Sequence, residues 1–246
     1  MSGHSKWATT KRHKAAVDAK RGKIFSAISK ELTIAAKEGG GDPASNARLR
    51  MLLQKAKGAN MPAENVERAI KKGTGELPGV VYEELLYEGY APGGVGMIIE
   101  VTTDNKNRAA SDVRSTITKN GGNLATPGAL QFNFTKMGQF IVDAEKSGED
   151  AIMECVLDAG ADDIKNNGDH YEILCPVSVF TAVGDALAKA GIETSDAKLA
   201  WIPNSTVPLT DPEVARKAIR LIEALEDLDD VNEVYSNEDV DDSLLD

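Results

Sequence analysis

Residues 80–104 read VVYEELLYEGYAPGGVGMIIEVTTD. Two apolar runs rich in Val, Ile and Tyr are typical of strands, and the APGG between them is typical of a turn. Upstream of this segment the apolar residues have helical spacing, whereas downstream helices and strands alternate. The segment therefore predicts a pair of strands that opens the sheet of an α+β protein.

Three short amphipathic helices are predicted upstream of these strands. Their apolar residues recur every three or four positions, which places them on one face of each helix. The three stripes are Phe25, Ile28, Leu32 and Ala35; Leu49, Leu52, Leu53 and Ala56; and Val66, Ala69 and Ile70. Because the loops between them are small, the sequence predicts a compact helical domain.

Downstream, residues 131–204 have the pattern β-β-α-β-β-α-β, with a turn around Lys136, Met137 and Gly138 between the first two strands. This order is close to a ferredoxin-like αβ plait. A long helix and one strand follow within residues 211–237, and they cannot bury themselves alone. We therefore expect them to complete the sheet begun at Val80.

The predicted fold class is a multidomain α+β protein: an N-terminal helical domain followed by two α/β domains, one ferredoxin-like and inserted into the other. The predicted boundaries are 1–76 for the basic helical domain, 77–130 plus 205–246 for the middle α/β domain, and 131–204 for the inserted domain. Two of the predicted helices have apolar stripes that we expect to face inward. These are Ala110, Val113 and Ile117, and Ile152, Val156 and Leu157.

Charge is divided unevenly along the chain, whose formal net charge is −11. Residues 1–72 contain 16 Lys and Arg against 6 Asp and Glu, a net charge of +10. Residues 73–246 contain 12 against 33, a net charge of −21. From Glu223 onward there are 11 acidic residues and no Lys or Arg. This division predicts a basic module joined to an acidic body.

Composition excludes several classes of protein. No apolar run approaches the ~18 residues that a membrane helix needs, and the charged N-terminus lacks the apolar region of a secretory signal. Cys155 and Cys175 lie in apolar surroundings, so we expect two buried free thiols in a reducing compartment rather than a disulfide. The predicted location is cytoplasmic, with no membrane partner.

The sequence contains no recognisable catalytic or metal constellation. The APGGVG stretch lacks the Lys-Ser/Thr of a P-loop and joins two strands rather than a strand and a helix. His4 and His13 have no cysteine nearby, and His170 has the pattern of an ordinary strand residue. Adjacent carboxylates such as Asp229 and Asp230 point to opposite faces of a strand and cannot share a proton. We predict that the protein is not an enzyme and holds no cofactor and no metal.

The basic opening of the chain is the predicted nucleic-acid-binding site. Cations that follow a phosphate backbone, together with an aromatic ring that can stack on a base, are what such binding requires. The candidate residues are Lys6, Trp7, Lys11, Arg12, Lys14, Lys20, Arg21 and Lys23. Trp7 has two interpretations, a base-stacking ring or an apolar anchor that holds the segment to the body. Because no recognition helix of the helix-turn-helix kind is evident, base-specific readout is not predicted.

Six stretches spread along the chain carry a resemblance to a known family. They are GHSKWA, KAAVDAKRGKIF, GGGDPASNARLR, YEGYAPGG, DNKNRAASDVR and GGNL. Together they resemble the YebC family of bacterial proteins. The resemblance implies three domains around a cleft and a function as a probable DNA-binding transcriptional regulator. Relatives that include a mitochondrial translational activator of cytochrome c oxidase imply translation instead, with bacterial members proposed to help ribosomes through proline-rich stretches.

Three hypotheses for function follow. The first is a cytoplasmic, non-enzymatic regulator of transcription that binds DNA. The second is a ribosome-associated translation factor that contacts ribosomal RNA, which suits a Lys-rich segment with few apolar anchors. The third is an enzyme or a small-molecule binder that uses the interdomain cleft. In the first two, the residues that match the family's basic opening would contact the nucleic acid.

Overall fold

The computed structural model describes residues 21–240. Its N-terminal part contains three helices, α1 (Arg21–Gly39), α2 (Ala47–Gly58) and α3 (Ala63–Gly73). Their inward faces form one apolar core, and its buried members are Ile28, Leu32, Ala35, Leu49, Leu52, Ala56, Met61 and Ala69. The predicted N-terminal helical domain is therefore confirmed.

Asn46 joins the first two helices. Its Oδ1 accepts a hydrogen bond from the backbone N–H of Leu49 at 3.0 Å, which caps the start of α2. Its Nδ2 donates to the carbonyl oxygens of Ala35 and Gly40, both at 2.8 Å. Since carbonyls at a helix end lack partners within the helix, one buried side chain satisfies the end of α1 and the beginning of α2.

The remaining elements belong to two α/β domains. In chain order they are β1 (Glu83–Ala91), β2 (Val95–Thr103), α4 (Lys106–Lys119), β3 (Asn123–Leu124), β4 (Phe134–Asp143), α5 (Glu149–Leu157), β5 (Asp163–Asn166), β6 (His170–Pro176), α6 (Phe180–Lys189), β7 (Asp196–Pro203), β8 (Val207–Leu209), α7 (Pro212–Glu226), β9 (Val231–Ser236) and β10 (Glu238–Val240).

The middle domain is built on an antiparallel sheet of order β3-β1-β2-β9. The predicted turn joins β1 to β2, and Gly93 and Gly94 have φ of +83° and +78° there, a region that favours glycine. Because β9 pairs with β2, the late helix and strand complete the sheet as expected. A further two-stranded parallel sheet of β8 and β10 was not predicted.

Helices α4 and α7 pack on one face of this sheet. The apolar side chains of β2 that point toward them include Met97, Ile99 and Val101. On α4, Val113 and Ile117 are buried as predicted, but the third inward residue is Ala109 rather than Ala110. The middle domain therefore has its main core between the sheet and the two helices.

The other face of β2 meets the inserted domain. Ile98 of β2 packs with Leu174 and Ala200 of the insertion, and the same cluster includes Phe134 and Tyr235. Since β2 is covered on both faces, its sequence is a nearly continuous apolar run rather than an alternating one. The two α/β domains therefore share an apolar interface.

The inserted domain has the ferredoxin-like order. Its antiparallel sheet is β5-β6-β4-β7, which is the arrangement of a β-α-β-β-α-β chain. The insertion leaves the middle domain after β3 and returns to it before α7 and β9. The predicted fold class is confirmed, whereas the exact domain boundaries stay a prediction.

Two details of the inserted domain differ from expectation. No turn occurs at Lys136–Gly138, because β4 continues through these residues and pairs with β6 and β7 on either side. A Cβ on Gly138 would lie 2.4 Å from Phe180 Cδ2 and 2.6 Å from Cys175 Sγ, so this glycine allows close packing rather than a turn. Leu157, predicted to face inward, is 56% exposed at the end of α5.

Cys155 and Cys175 are free thiols. Cys175 is buried, as predicted, whereas Cys155 is only partly buried. Burial raises the pKa of the Cys175 thiol to about 11, and Asp162 adds to this effect. Within residues 21–240, no helix combines the length and the apolar character needed to cross a membrane.

Candidate nucleic-acid interface

Most of the predicted site residues lie outside the described part of the chain. These residues are Lys6, Trp7, Lys11, Arg12, Lys14 and Lys20. Arg21 occupies the first position of α1, where only the backbone is described. The contacts of Lys23 are described, and they show how the beginning of α1 is held to the acidic body.

Lys23 binds the C-terminal end of α7. Its Nζ donates to the carbonyl oxygens of Glu226 and Leu228, the latter at 2.7 Å. Carbonyls at a helix C-terminus lack backbone partners and carry the negative end of the helix dipole, so an ammonium group stabilises them. The beginning of α1 is therefore attached to the last helix of the middle domain.

Lys30 lies two turns further along α1 and points to the same side. Its buried Nζ donates to the carbonyl oxygens of Thr102 at 3.1 Å and Asp229 at 2.9 Å. The third donor reaches Asp230 Oδ1 at 2.9 Å. All three hydrogens of this ammonium therefore have acceptors, as a buried charge requires.

The carboxylate of Asp230 accepts hydrogen bonds from the side chains of Lys30, Thr103 and Arg108. Its Oδ2 accepts from Thr103 Oγ1 at 2.9 Å and from Arg108 Nη2 at 2.7 Å. Burial alone would raise the pKa of this carboxyl, but hydrogen bonds from Arg108, Lys30 and Thr103 outweigh burial and hold the pKa below its ordinary value. The carboxylate is therefore ionised at neutral pH.

We call Lys23, Lys30, Thr103, Arg108 and Asp230 the latch. From the sequence, Lys23 is predicted only as a nucleic-acid contact, and Asp230 is recognised only as one of two adjacent carboxylates. Lys30 and Asp230 are 200 residues apart in the chain, so no local spacing signals their contact. Lys30 lies on the side of α1 opposite Ile28 and Leu32, where a charged side chain is ordinary, so its place in the helix does not indicate the contact either.

Besides Lys23 and Lys30 of the latch, and Arg50, which donates to the carbonyl oxygen of Pro43, the described cations of the helical domain fall into two groups. Arg48, Lys55, Arg68 and Lys71 each contact a carboxylate. The exposed side chains of Lys37, Lys57 and Lys72 contact no carboxylate within residues 21–240. Part of the positive charge of this domain is therefore available to a polyanion.

The cavity beside the latch has the opposite character. It has a volume of about 240 Å³. Its polar lining is Arg108, Asp112, Asp227, Asp229 and Asp230. Four carboxylates against one guanidinium repel phosphate. Across the described residues, no group of three or more His, Cys, Asp or Glu side chains could hold a metal ion.

These contacts define the class of protein. A basic helical domain is attached through the latch to an acidic body, which consists of two α/β domains. The chain matches the TACO1/YebC protein N-terminal domain over residues 5–76 and the TACO1/YebC second and third domain over residues 82–238. The protein belongs to the TACO1/YebC family, which confirms the resemblance drawn from the sequence.

Similar proteins cover the whole chain. A "Probable transcriptional regulatory protein" of Opitutus terrae is 54% identical over 245 residues, with 100% of this chain and 99% of that protein covered. One of Syntrophobacter fumaroxidans with the same name is 48% identical, with the same coverage. The crystal structure of a conserved hypothetical protein from Aquifex aeolicus has a TM-score of 0.88 at 43% identity, covering 95% of this chain and 96% of that one.

Proposed function

We propose that this protein is a non-enzymatic regulatory factor that acts on transcription in the cytoplasm and binds nucleic acid through its basic N-terminal segment. The observation that carries the proposal is that relatives matching the chain from end to end are named probable transcriptional regulatory proteins. The net charge of +10 over residues 1–72 supports it, because cations bind the phosphate backbone.

The division of charge directs this binding. Lysine and arginine side chains displace counterions from the phosphate backbone, and the released ions provide the gain in free energy. The acidic body as a whole repels the same polymer, which favours binding at the basic end of the molecule. The latch attaches the beginning of α1 to the body at the end of α7.

The direct test exchanges charge in the proposed segment. Replacing Lys11, Arg12 and Lys14 by Glu should weaken binding to a DNA duplex by more than tenfold at ~100 mM salt, because contacts to phosphate are lost. Binding of the full chain is measured by fluorescence anisotropy over a series of salt concentrations. The matched control replaces Lys146, Lys189 and Lys217 by Glu, which changes the net charge equally but elsewhere on the surface. Equal effects of both variants would refute the proposed site.

Crosslinking in cells followed by sequencing of the bound nucleic acid identifies the target. Recovery of discrete promoter DNA without ribosomal RNA supports a regulator of transcription. Recovery of ribosomal RNA without promoter DNA would contradict that proposal and favour the translation factor. The same segment contacts phosphate in both cases, so the charge-exchange variants do not separate a DNA target from a ribosomal RNA target. Crosslinking and sequencing do separate them.

A further inference from the structure

Most cations of the acidic body are neutralised by neighbouring carboxylates. Residues 73–240 contain 12 Lys and Arg. Seven of them form ion pairs: Lys106, Arg108, Lys136, Lys146, Lys165, Lys198 and Lys217. The other five contact no carboxylate within the described residues, and they are Arg114, Lys119, Lys189, Arg216 and Arg220. Four of these five lie on α4 and α7, the two helices that cover the middle sheet.

The outward face of α4 carries two of these cations within a polar stripe. Asn107, Ser111, Arg114 and Thr118 are spaced by four, three and four residues, which places them on one side of the helix. Ser115 and Lys119 lie beside them. These six residues, with Ala110, line one open cavity of about 640 Å³. We call the six the α4 stripe.

The α4 stripe contains hydrogen-bond donors and no carboxylate. This is unusual in a part of the chain with a net charge of −21. The guanidinium, the ammonium, the amide and the hydroxyls of Ser111 and Ser115 can donate to phosphate oxygens, whereas the Thr118 hydroxyl donates to the carbonyl oxygen of Arg114 at 2.9 Å. Such donated contacts position a protein on a nucleic-acid backbone. Ala110 is the only apolar lining residue, so the stripe offers little to the side chains of a peptide.

We propose that the α4 stripe is a second phosphate-binding surface, which contacts the backbone of the nucleic acid held by the N-terminal segment. This inference rests on the proposed function. Arg108, in the first turn of α4, and Lys30 of α1 bind opposite oxygens of Asp230. The stripe therefore begins beside the point where α1 is attached, and one polymer can reach both surfaces.

The acidic cavity beside the latch limits this surface on one side. Asp112 lies on the flank of α4 that faces Asp227 and Asp229 across that cavity. Arg108 is itself neutralised by Asp104 and Asp230. A polyanion on α4 is therefore repelled from the latch side and retained along the stripe, where Arg114 and Lys119 contact no carboxylate of the described residues.

The test removes the two cations without reversing charge. The variant Arg114→Gln/Lys119→Gln is compared with Lys146→Gln/Lys189→Gln, which loses the same charge from exposed positions of the inserted domain. Each full-length variant is titrated with a 20-nucleotide RNA and a 20-base-pair DNA duplex across a salt series. We expect the α4 variant to bind at least one probe roughly three- to thirtyfold more weakly, with a salt slope smaller by about 1.4 to 1.8. We expect the control variant to change neither.

A second variant tests the stripe at another position. Ser111→Glu places a carboxylate one helical turn before Arg114 and should weaken binding of the same probe, because the carboxylate repels phosphate. Both α4 variants should unfold at the wild-type temperature, since the replaced side chains are exposed or partly exposed and make no ion pair within residues 21–240. A loss of binding without a loss of stability separates a contact surface from a structural role.

The outcomes distinguish the inference from the proposed function. If the Lys11, Arg12 and Lys14 exchange abolishes binding while Arg114→Gln/Lys119→Gln behaves like its control, the proposed function stands and the α4 surface is refuted. If the wild-type protein binds neither probe, both fail. Poly-glutamate is titrated as a third probe. If the α4 variant loses binding to poly-glutamate but binds both nucleic acids like its control, the surface recognises acidic peptides and the proposal is wrong.

Discussion

Asp230 shows how one carboxylate can hold together distant parts of a chain. It accepts hydrogen bonds from Lys30 of the helical domain and from Thr103 and Arg108 of the middle domain. Removing one member of a buried ion pair leaves the partner charge without compensation, and this costs more than the pair itself contributes. The neighbouring Asp229 contacts Lys30 only through its backbone carbonyl.

These contacts predict opposite outcomes for two adjacent substitutions. Asp230→Asn removes the charge that compensates Lys30, so we expect the free energy of unfolding to fall by about 2–4 kcal/mol. Asp229→Asn leaves the backbone acceptor in place and should change stability by less than about 0.5 kcal/mol. Urea denaturation of both variants measures the difference. Similar stabilities for the two would show that the side chain of Asp230 does not hold the domains together.

At the scale of the elements, the sequence predicted the type of nearly every long helix and strand. Apolar periodicity predicts these elements correctly, because the face of each element that is buried in the fold is its apolar face. The errors occur where a distant contact decides the conformation. Gly138 resembles a turn residue in the sequence, yet it lies within β4 because Phe180 and Cys175 occupy the space that a side chain would need. The short strands β3, β8 and β10 have two or three residues each, too few for a periodic pattern.

A methyl group at this position of β4 therefore tests the packing. Gly138→Ala forces Phe180 or the Cys175 thiol to move, and we expect a loss of about 1–3 kcal/mol from overpacking. Gly148→Ala in the same domain is the control, because a Cβ there meets no atom within 4 Å. Thermal unfolding of the two variants provides the comparison. If Gly138→Ala is as stable as the control, the strand has more room than the contacts of Phe180 indicate.

For the whole molecule, the sequence shows how charge is divided along the chain. It does not show how the basic domain is attached to the acidic body. Counting residues predicts a basic domain and an acidic body. It does not reveal that two lysines of the basic domain, Lys23 and Lys30, are used for attachment, since their acceptors follow α7 about 200 residues later. The α4 stripe was missed for a similar reason. The sequence does not show which lysines and arginines of the body form ion pairs, and therefore does not show that Arg114 and Lys119 form none within residues 21–240.

The attachment of the two parts should depend on pH in a defined direction. The folded-state pKa of Asp230 lies below its unfolded value of about 3.9, so the unfolded chain binds more protons between these two values. The contribution of Asp230 to stability is then complete above about pH 4 to 5 and is lost as the pH falls through the lower folded-state pKa. The chain contains 39 Asp and Glu, so the wild-type curve alone does not isolate one carboxyl.

The difference in unfolding free energy between the wild type and Asp230→Asn does isolate it. Because Asn does not titrate, we expect this difference to be constant from about pH 5 to 7 and to shrink steadily below about pH 4. Urea denaturation at each pH measures it, and the corresponding difference for Asp229→Asn should stay near zero throughout. A difference that grows as the pH falls would mean that the carboxyl is protonated in the folded protein, contrary to its contacts with Lys30 and Arg108.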